Sequence, residues 1–241
     1  MSSLVLTSLL GPVALGFTWF LLPHLDRRRR EAALARLCRE GRIIVLSYDD
    51  GPGTGTTPAL LDLLAARKVQ ASFFVLGRSA EARPDLVARL LAEGHEVGSH
   101  THDHSNDWKT WPLRSAADRD AGVALIDRLG GDGRLFRPPY GKLTLAGWIA
   151  ARMQRLQLAW WTLDSRDSWQ RRPVEAVLED IDAAGGGVVL MHDGDAYEKS
   201  GPGHAEYVLD LTGRIIDFAE AGGYRFLRMG ALLDRGTARH G

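Results

Sequence analysis

The chain has 241 residues, 45% hydrophobic and 25% charged, a balance typical of a folded globular protein and enough for one large α/β domain or two small ones. Lys plus Arg equals Asp plus Glu at 30 each, so the basic excess of a nucleic-acid-binding protein is missing and no nucleic acid is expected as a partner. Cys38 is the single cysteine, which excludes an intramolecular disulfide and a cysteine-based zinc site, so any metal must be held by histidine and carboxylate.

From Ser3 to Leu22 no residue is charged. As a helix this stretch is long enough to cross a hydrocarbon core of about 30 Å. Gly11-Pro12 would kink it, which membrane helices tolerate, and Trp19 lies near one end, where interfacial aromatics are favoured. No basic segment precedes it and no small-x-small site follows it before Arg27-Arg28-Arg29-Arg30, which speaks against a cleaved signal peptide. A buried core helix would be unusually long for so uncharged a stretch. Residues 1–25 are therefore read as a hydrophobic anchor and 26–41 as a basic juxtamembrane linker, helical over 31–41 and ended by Gly41. Arginines that follow a single span place the next domain on the cytoplasmic side. The expectation is a single-pass, membrane-anchored protein with its domain facing the cytoplasm, the alternative being an uncleaved signal anchor that exports the domain despite its arginine flank.

An apolar, β-branched strand at 43–46 runs into Ser47-Tyr48-Asp49-Asp50-Gly51-Pro52. Helices are predicted at 58–68, 83–93 (stopped by Gly94), 113–129 (ended by Gly130-Gly131), 144–157, 173–184 (with Pro at its start) and 207–221. Strands fall between them at 71–76, 96–99, 135–137, 158–163, 187–191 and 224–227. Alternation of this kind implies a parallel sheet, open or closed into a barrel.

Polar clusters recur where these strands end: Asp49-Asp50, His100-Thr101-His102-Asp103-His104, Arg137-Pro138-Pro139-Tyr140-Gly141, Asp164 to Trp169, and His192-Asp193. The carboxyl ends of parallel strands meet on one face, so the clusters point to one enzyme site. His100 and His104 are four apart, and on a helical turn both imidazoles face one cation while His102 points away. Adjacent carboxylates repel unless a cation or a shared proton intervenes, so Asp49 and Asp50 can both be metal ligands or be one ligand and one base, the structural alternative being that Asp49 caps the turn before Gly51-Pro52. Three protein ligands leave a position open for water, the pattern of catalytic zinc. Arg137, stiffened by two prolines, can hold a carboxylate. His192 can be oriented by Asp164 and Asp167 and so serve as a general acid. Trp160 and Trp161 read as core or groove wall, and Trp169 as a ligand neighbour.

These residues resemble the polysaccharide deacetylase family, carbohydrate esterase family 4, with chitooligosaccharide-deacetylase homology, over roughly residues 42–227. SYDDGP is similar to the family's TFDDGP, HTHDH to H-[ST]-x-x-H, RPPYG to R-x-P-Y, DSRDSW to D-x-x-D-W and LMH to L-x-H. The resemblance implies a distorted (β/α)7 barrel, preceded here by the membrane-spanning helix, with residues 42–235 as the catalytic domain. It implies Asp49 as base, Asp50, His100 and His104 as metal ligands, and Arg137 orienting Asp49. The Tyr140 backbone N–H would stabilise the oxyanion, His192 would be the acid tuned by Asp167, and Leu190 would line the acetyl pocket. The extra Ser168 displaces Trp169 from its usual place, which puts the groove wall and the choice of substrate in doubt. The implied reaction is metal-dependent hydrolysis of an N-acetyl group on an amino sugar of a glycan or lipid-linked sugar. Zinc is the default metal, with Co2+, Mn2+ or Ni2+ able to take similar ligands. A deformylase or an O-deacetylase would use the same residues. A membrane-tethered, non-catalytic glycan-binding barrel would be expected to lack a base, ligand or acid, and none is missing.

Overall fold

Strand β1 (Ile43–Asp49) is buried along its whole length because it takes partners on both edges. β7 (Gly187–His192) pairs with it from Ile44 to Asp49, and β2 (Ser72–Val75) pairs with its last three residues. The register sets Asp49 between Phe74 and His192. The computed structural model describes residues 2–195 and 203–238, with 2–15, 17, 237 and 238 described by backbone alone.

From β2 the sheet continues through β3 (Glu96–Ser99), β4 (Leu135–Phe136) and β5 (Gln157–Leu158). On the other side of β1 it continues through β7 to β6 (Leu163–Asp164), while β8 (Arg225–Phe226) pairs with the start of β1. All pairings are parallel, and helices intervene: α2 (Thr57–Arg67), α3 (Gly77–Ala82), α4 (Pro84–Ala92), α5 (Pro112–Arg128), α6 (Leu145–Met153), α7 (Val174–Ala184) and α8 (His204–Gly222), with α9 (Met229–Ala238) last. The result is an α/β half-barrel of parallel strands, consistent with a (β/α)7 fold.

The strand expected at 158–163 is instead two short pairings separated by Trp160 and Trp161. Gln157–Leu158 pairs with β4 and Leu163–Asp164 with β7, so the segment passes from one edge of the sheet to the other. One straight strand cannot satisfy both neighbours. Individual bonds fix the crossing instead, from Ala159 N–H to Phe136 O at 2.9 Å and from Thr162 N–H to Val188 O at 3.0 Å.

Side-chain alternation along β1 divides the core. Ile44, Leu46 and Tyr48 face the outer helices with Leu60, Leu64, Phe73 and Ile215. Ile43 and Val45 face inward with Phe74, Phe136, Trp160 and Val188. The inward row ends in Ser47 and Asp49, so the interior becomes polar at the carboxyl ends of the strands.

Residues 31–41 are not a separate short helix. They are the last turns of α1 (Ser2–Gly41), and Leu34, Leu37 and Cys38 belong to the inward cluster beside Met229 and Leu232 of α9. The segment expected only to link an anchor to the domain thus closes the bottom of the core. Burial of each leucine contributes about 1.5–3 kcal/mol. Most of the uncharged stretch at 3–22, on which the membrane anchor was expected, lies outside the residues whose side chains are described. Among the described residues no helix is long and apolar enough to cross a membrane.

Candidate active site

Asp50, His100 and His104 bring one carboxylate oxygen and two imidazole nitrogens together within 4.8 Å of one another. Asp50 Oδ1 lies 3.5 Å from His100 Nε2 and 3.3 Å from His104 Nε2. The His100 ring is fixed from behind: Nδ1–H donates to the Arg137 carbonyl at 2.6 Å, which leaves the Nε2 lone pair facing Asp50. Burial pushes His100 down to about 3, so it is neutral and able to ligate at ordinary pH. The residues therefore fit a divalent metal on donor chemistry: two imidazoles, one of them held neutral, and one carboxylate.

The histidines do not converge through a helical turn, as their spacing suggested. Residues 100–104 form a loop in which Thr101 and His104 have φ of 67° and 63°. Asp118 of α5 holds it, accepting N–H bonds from His102 (3.0 Å), Asp103 (2.6 Å) and Ser105 (2.9 Å). His102 turns away, as expected, to Asp103 and Glu81.

Asp49 closes the inward row of β1, and Arg137 holds one of its two carboxylate oxygens. Arg137 Nη1 donates to its Oδ1 at 2.7 Å and to Ser47 Oγ at 3.0 Å, and Arg137 Nε donates to Ala159 O at 3.0 Å. The guanidinium lies 3.9 Å from the Phe74 ring centroid and is fully buried. Burial raises the Asp49 pKa, and Arg137 and then His192 pull against that rise. Oδ2 stays on the side of the metal ligands, 3.7 Å from His100 Nε2.

His192 ends β7 across from Asp49. Its Nδ1 and its backbone N–H both bond Asp167, at 2.9 Å and 2.8 Å. Ser165 Oγ and His204 Nε2 bond the same carboxylate at 2.9 Å and 3.2 Å. Burial disfavours the charged imidazole, but the charge and hydrogen bond of Asp167 outweigh it and raise His192 to about 10. Asp167 is correspondingly held well below the usual carboxylate range despite its burial, chiefly by His192. Asp164, expected to share the task of orienting His192, instead accepts the Arg166 N–H and lines the cleft.

These groups meet in a cleft of about 960 Å³ whose walls include Tyr140, Trp161, Trp169 and Leu190. Tyr140 has φ 58° and ψ 9°, and its ring lies 4.6 Å from that of His104. Leu190 is buried and Trp169 is 64% exposed, so the displaced tryptophan still reaches the cleft. Three contributors were given no role by the sequence, although Asp193 lies in a strand-end cluster and Arg27 in the arginine run. Asp193 is buried beneath Gly51, where a Cβ would collide with its carboxylate, and Thr57 Oγ1 donates to it at 2.6 Å. His204 opens α8 from the far side of Asp167. Arg27 reaches the site from α1 and donates to Gly141 O at 2.6 Å.

Comparison with known proteins gives one consistent picture. The family model described as polysaccharide deacetylase matches residues 36–157. A peptidoglycan-N-acetylglucosamine deacetylase of Bacillus cereus is 33% identical over 196 residues, covering 80% of this chain and 88% of the relative. A chitooligosaccharide deacetylase of Bradyrhizobium sp. is 33% identical over 183 residues, covering 72% and 78%. Among solved structures, the Bc1960 peptidoglycan N-acetylglucosamine deacetylase in complex with 4-naphthalen-1-yl-N-oxidanyl-benzamide superposes with a TM-score of 0.72 at 28% identity, covering 80% of this chain and 89% of that one.

Proposed function

The chain belongs to the polysaccharide deacetylase family, carbohydrate esterase family 4, and we propose that it hydrolyses the N-acetyl group of an amino sugar, an N-acetylglucosamine unit of a glycan or lipid-linked sugar, releasing acetate. One observation carries this reading. A His-His-Asp donor set, a carboxylate held by a buried arginine and an imidazole held by a buried carboxylate all open on the same cleft.

A divalent metal held by Asp50, His100 and His104, zinc by donor preference, would supply Lewis acidity to the amide carbonyl and to water. Asp49 takes the proton of the attacking water, and its raised pKa suits a base. Arg137 fixes Oδ1 of Asp49 and so presents Oδ2 for that transfer. The Tyr140 backbone N–H donates to the oxyanion as the carbonyl carbon becomes tetrahedral. His192, protonated through Asp167, gives its proton to the amine nitrogen as the C–N bond breaks. Leu190 and Trp169 line the space for the acetyl group and the sugar. Acetate and a free amino sugar leave. The test is a panel of N-acetylated, N-formylated and O-acetylated glycans, polymeric and lipid-linked. Acetate released in step with new free amine supports the reading, and turnover confined to formyl or ester substrates contradicts it.

The acid has a pH signature. His192 is raised above its ordinary value, so it is protonated through neutral pH, and activity is expected to fall as pH rises toward about 10. Asp49 and Asp50 contribute to that rise, and a bound dication would offset their part of it, leaving Asp167 as the principal support. Asp167→Asn removes the principal support, and the alkaline limb of kcat moves to lower pH. An unmoved limb would take His192 out of the acid role.

A tether is part of the same proposal. The uncharged stretch at 3–22, followed by arginines, supports a single span with the barrel toward the cytoplasm. Active alkaline phosphatase fused after Gly241 would overturn that placement.

A further inference from the structure

The Tyr140–Gly141 turn holds two successive residues in the left-handed region, with φ of 58° and 62°. For tyrosine that conformation is unfavourable and needs support from its surroundings. The turn's own bonds run from Gly141 N–H to Pro138 O at 3.0 Å and from Lys142 N–H to Pro139 O at 3.1 Å. A third comes from outside the barrel, from Arg27 Nη1 on α1 to Gly141 O.

The placement of Arg27 is specific. Its Nε bonds Glu31 at 2.6 Å, and its guanidinium lies 4.5 Å from the Trp161 ring centroid and 5.2 Å from that of Trp160. A Cβ on Gly141 would collide with its Nη1, so the glycine is matched to the arginine as well as to the turn. The helix carrying it is pinned on both sides of this point. Asp26 accepts from Trp148 Nε1 at 3.0 Å and from Arg30 Nε at 2.8 Å, and Leu34, Leu37 and Cys38 are buried in the core. Arg27 is therefore delivered to the turn on a rigid element.

We propose that Arg27 is a positioning residue: from α1 it clamps the Tyr140–Gly141 turn so that the Tyr140 N–H faces the reacting carbonyl. Its catalytic consequence rests on the deacetylase reading above. The helix preceding the barrel is then part of the active site, and a fragment beginning at residue 31 would lack the clamp.

The test uses the full chain with Arg27→Met, which keeps the stem against the tryptophans, and Arg27→Lys, which keeps a charged donor. Hydrogen exchange of the 138–143 segment is expected to accelerate about 10-fold or more in Arg27→Met, with the rest of the barrel unchanged. On an N-acetylated chitooligosaccharide, kcat is expected to fall about 10- to 100-fold with KM within about threefold, as for a displaced oxyanion donor. Metal content stays at the wild-type level, and Arg27→Lys recovers part of the rate. Wild-type exchange and kcat in Arg27→Met overturn the proposal. So does acceleration spread over the whole chain with a lowered Tm, which would make Arg27 a general scaffold residue. If the wild-type chain releases no acetate, the deacetylase reading fails, while the exchange measurement still decides whether the clamp exists.

Discussion

Asp50→Ala, His100→Ala and His104→Ala are each expected to lose the metal and to lower acetate release by at least about 1000-fold, the upper end of what one oxyanion donor is worth. In the proposed site each supplies one of three protein donors, and two of the three lie on one loop. The three are not equivalent in the fold. Asp50 and His100 are buried, whereas His104 is partly open, so His104→Ala tests ligation with the least disturbance to packing. His102→Ala, two residues from each histidine ligand, is the internal control, because that ring faces Glu81 and Asp103. Elemental analysis reads the result. Stoichiometric metal in all three ligand variants, or loss of metal in His102→Ala, would overturn the ligand set.

Asp49→Asn is expected to separate base from ligand: metal is retained while kcat falls roughly 100- to 10,000-fold, the range for removal of a general base. The variant also carries a stability cost, which can be read independently. Asp49 is the counter-charge of a fully buried arginine, and removing one partner of such a pair costs about 3–5 kcal/mol. Asparagine keeps an acceptor for Arg137 Nη1, so the loss should lie toward the lower end. A lowered Tm with metal intact and turnover gone is the expected combination. Near wild-type turnover would leave Asp49 with a purely structural partnership to Arg137.

Much of this site was legible in the sequence because its chemistry lies next to strand ends. Asp49, Asp50, Arg137 and His192 each follow a short apolar run, and parallel strands place those ends together whatever the details of the helices. The parts that were not legible depend on contacts between distant segments. Position along the chain does not separate Asp164 from Asp167; the resemblance names the second, and the turn through Ser165 is what aims it at His192. The 158–163 strand has the right composition but must satisfy β4 at one end and β7 at the other. The arginine run reads as flanking charge because four guanidinium groups in a row are normally solvated. In the fold Arg27 enters the site, while Arg28 pairs with Glu31 and Arg30 with Asp26. That 31–41 is helical is legible in the sequence, but nothing local says that it continues α1 or that Leu34 and Leu37 close the core.

Metal-dependent N-deacetylation by this chain is checked by acetate release from an N-acetylglucosamine oligomer. The protein is assayed as purified, after exhaustive chelation, and after titration with one divalent cation at a time. Activity is expected to vanish on chelation and to return with about one equivalent of zinc or a similar cation per chain, the capacity of a single three-donor site. Acetate release that survives complete chelation, or protein that binds the cation at Asp50, His100 and His104 yet releases no acetate from any N-acetylated glycan, would contradict it.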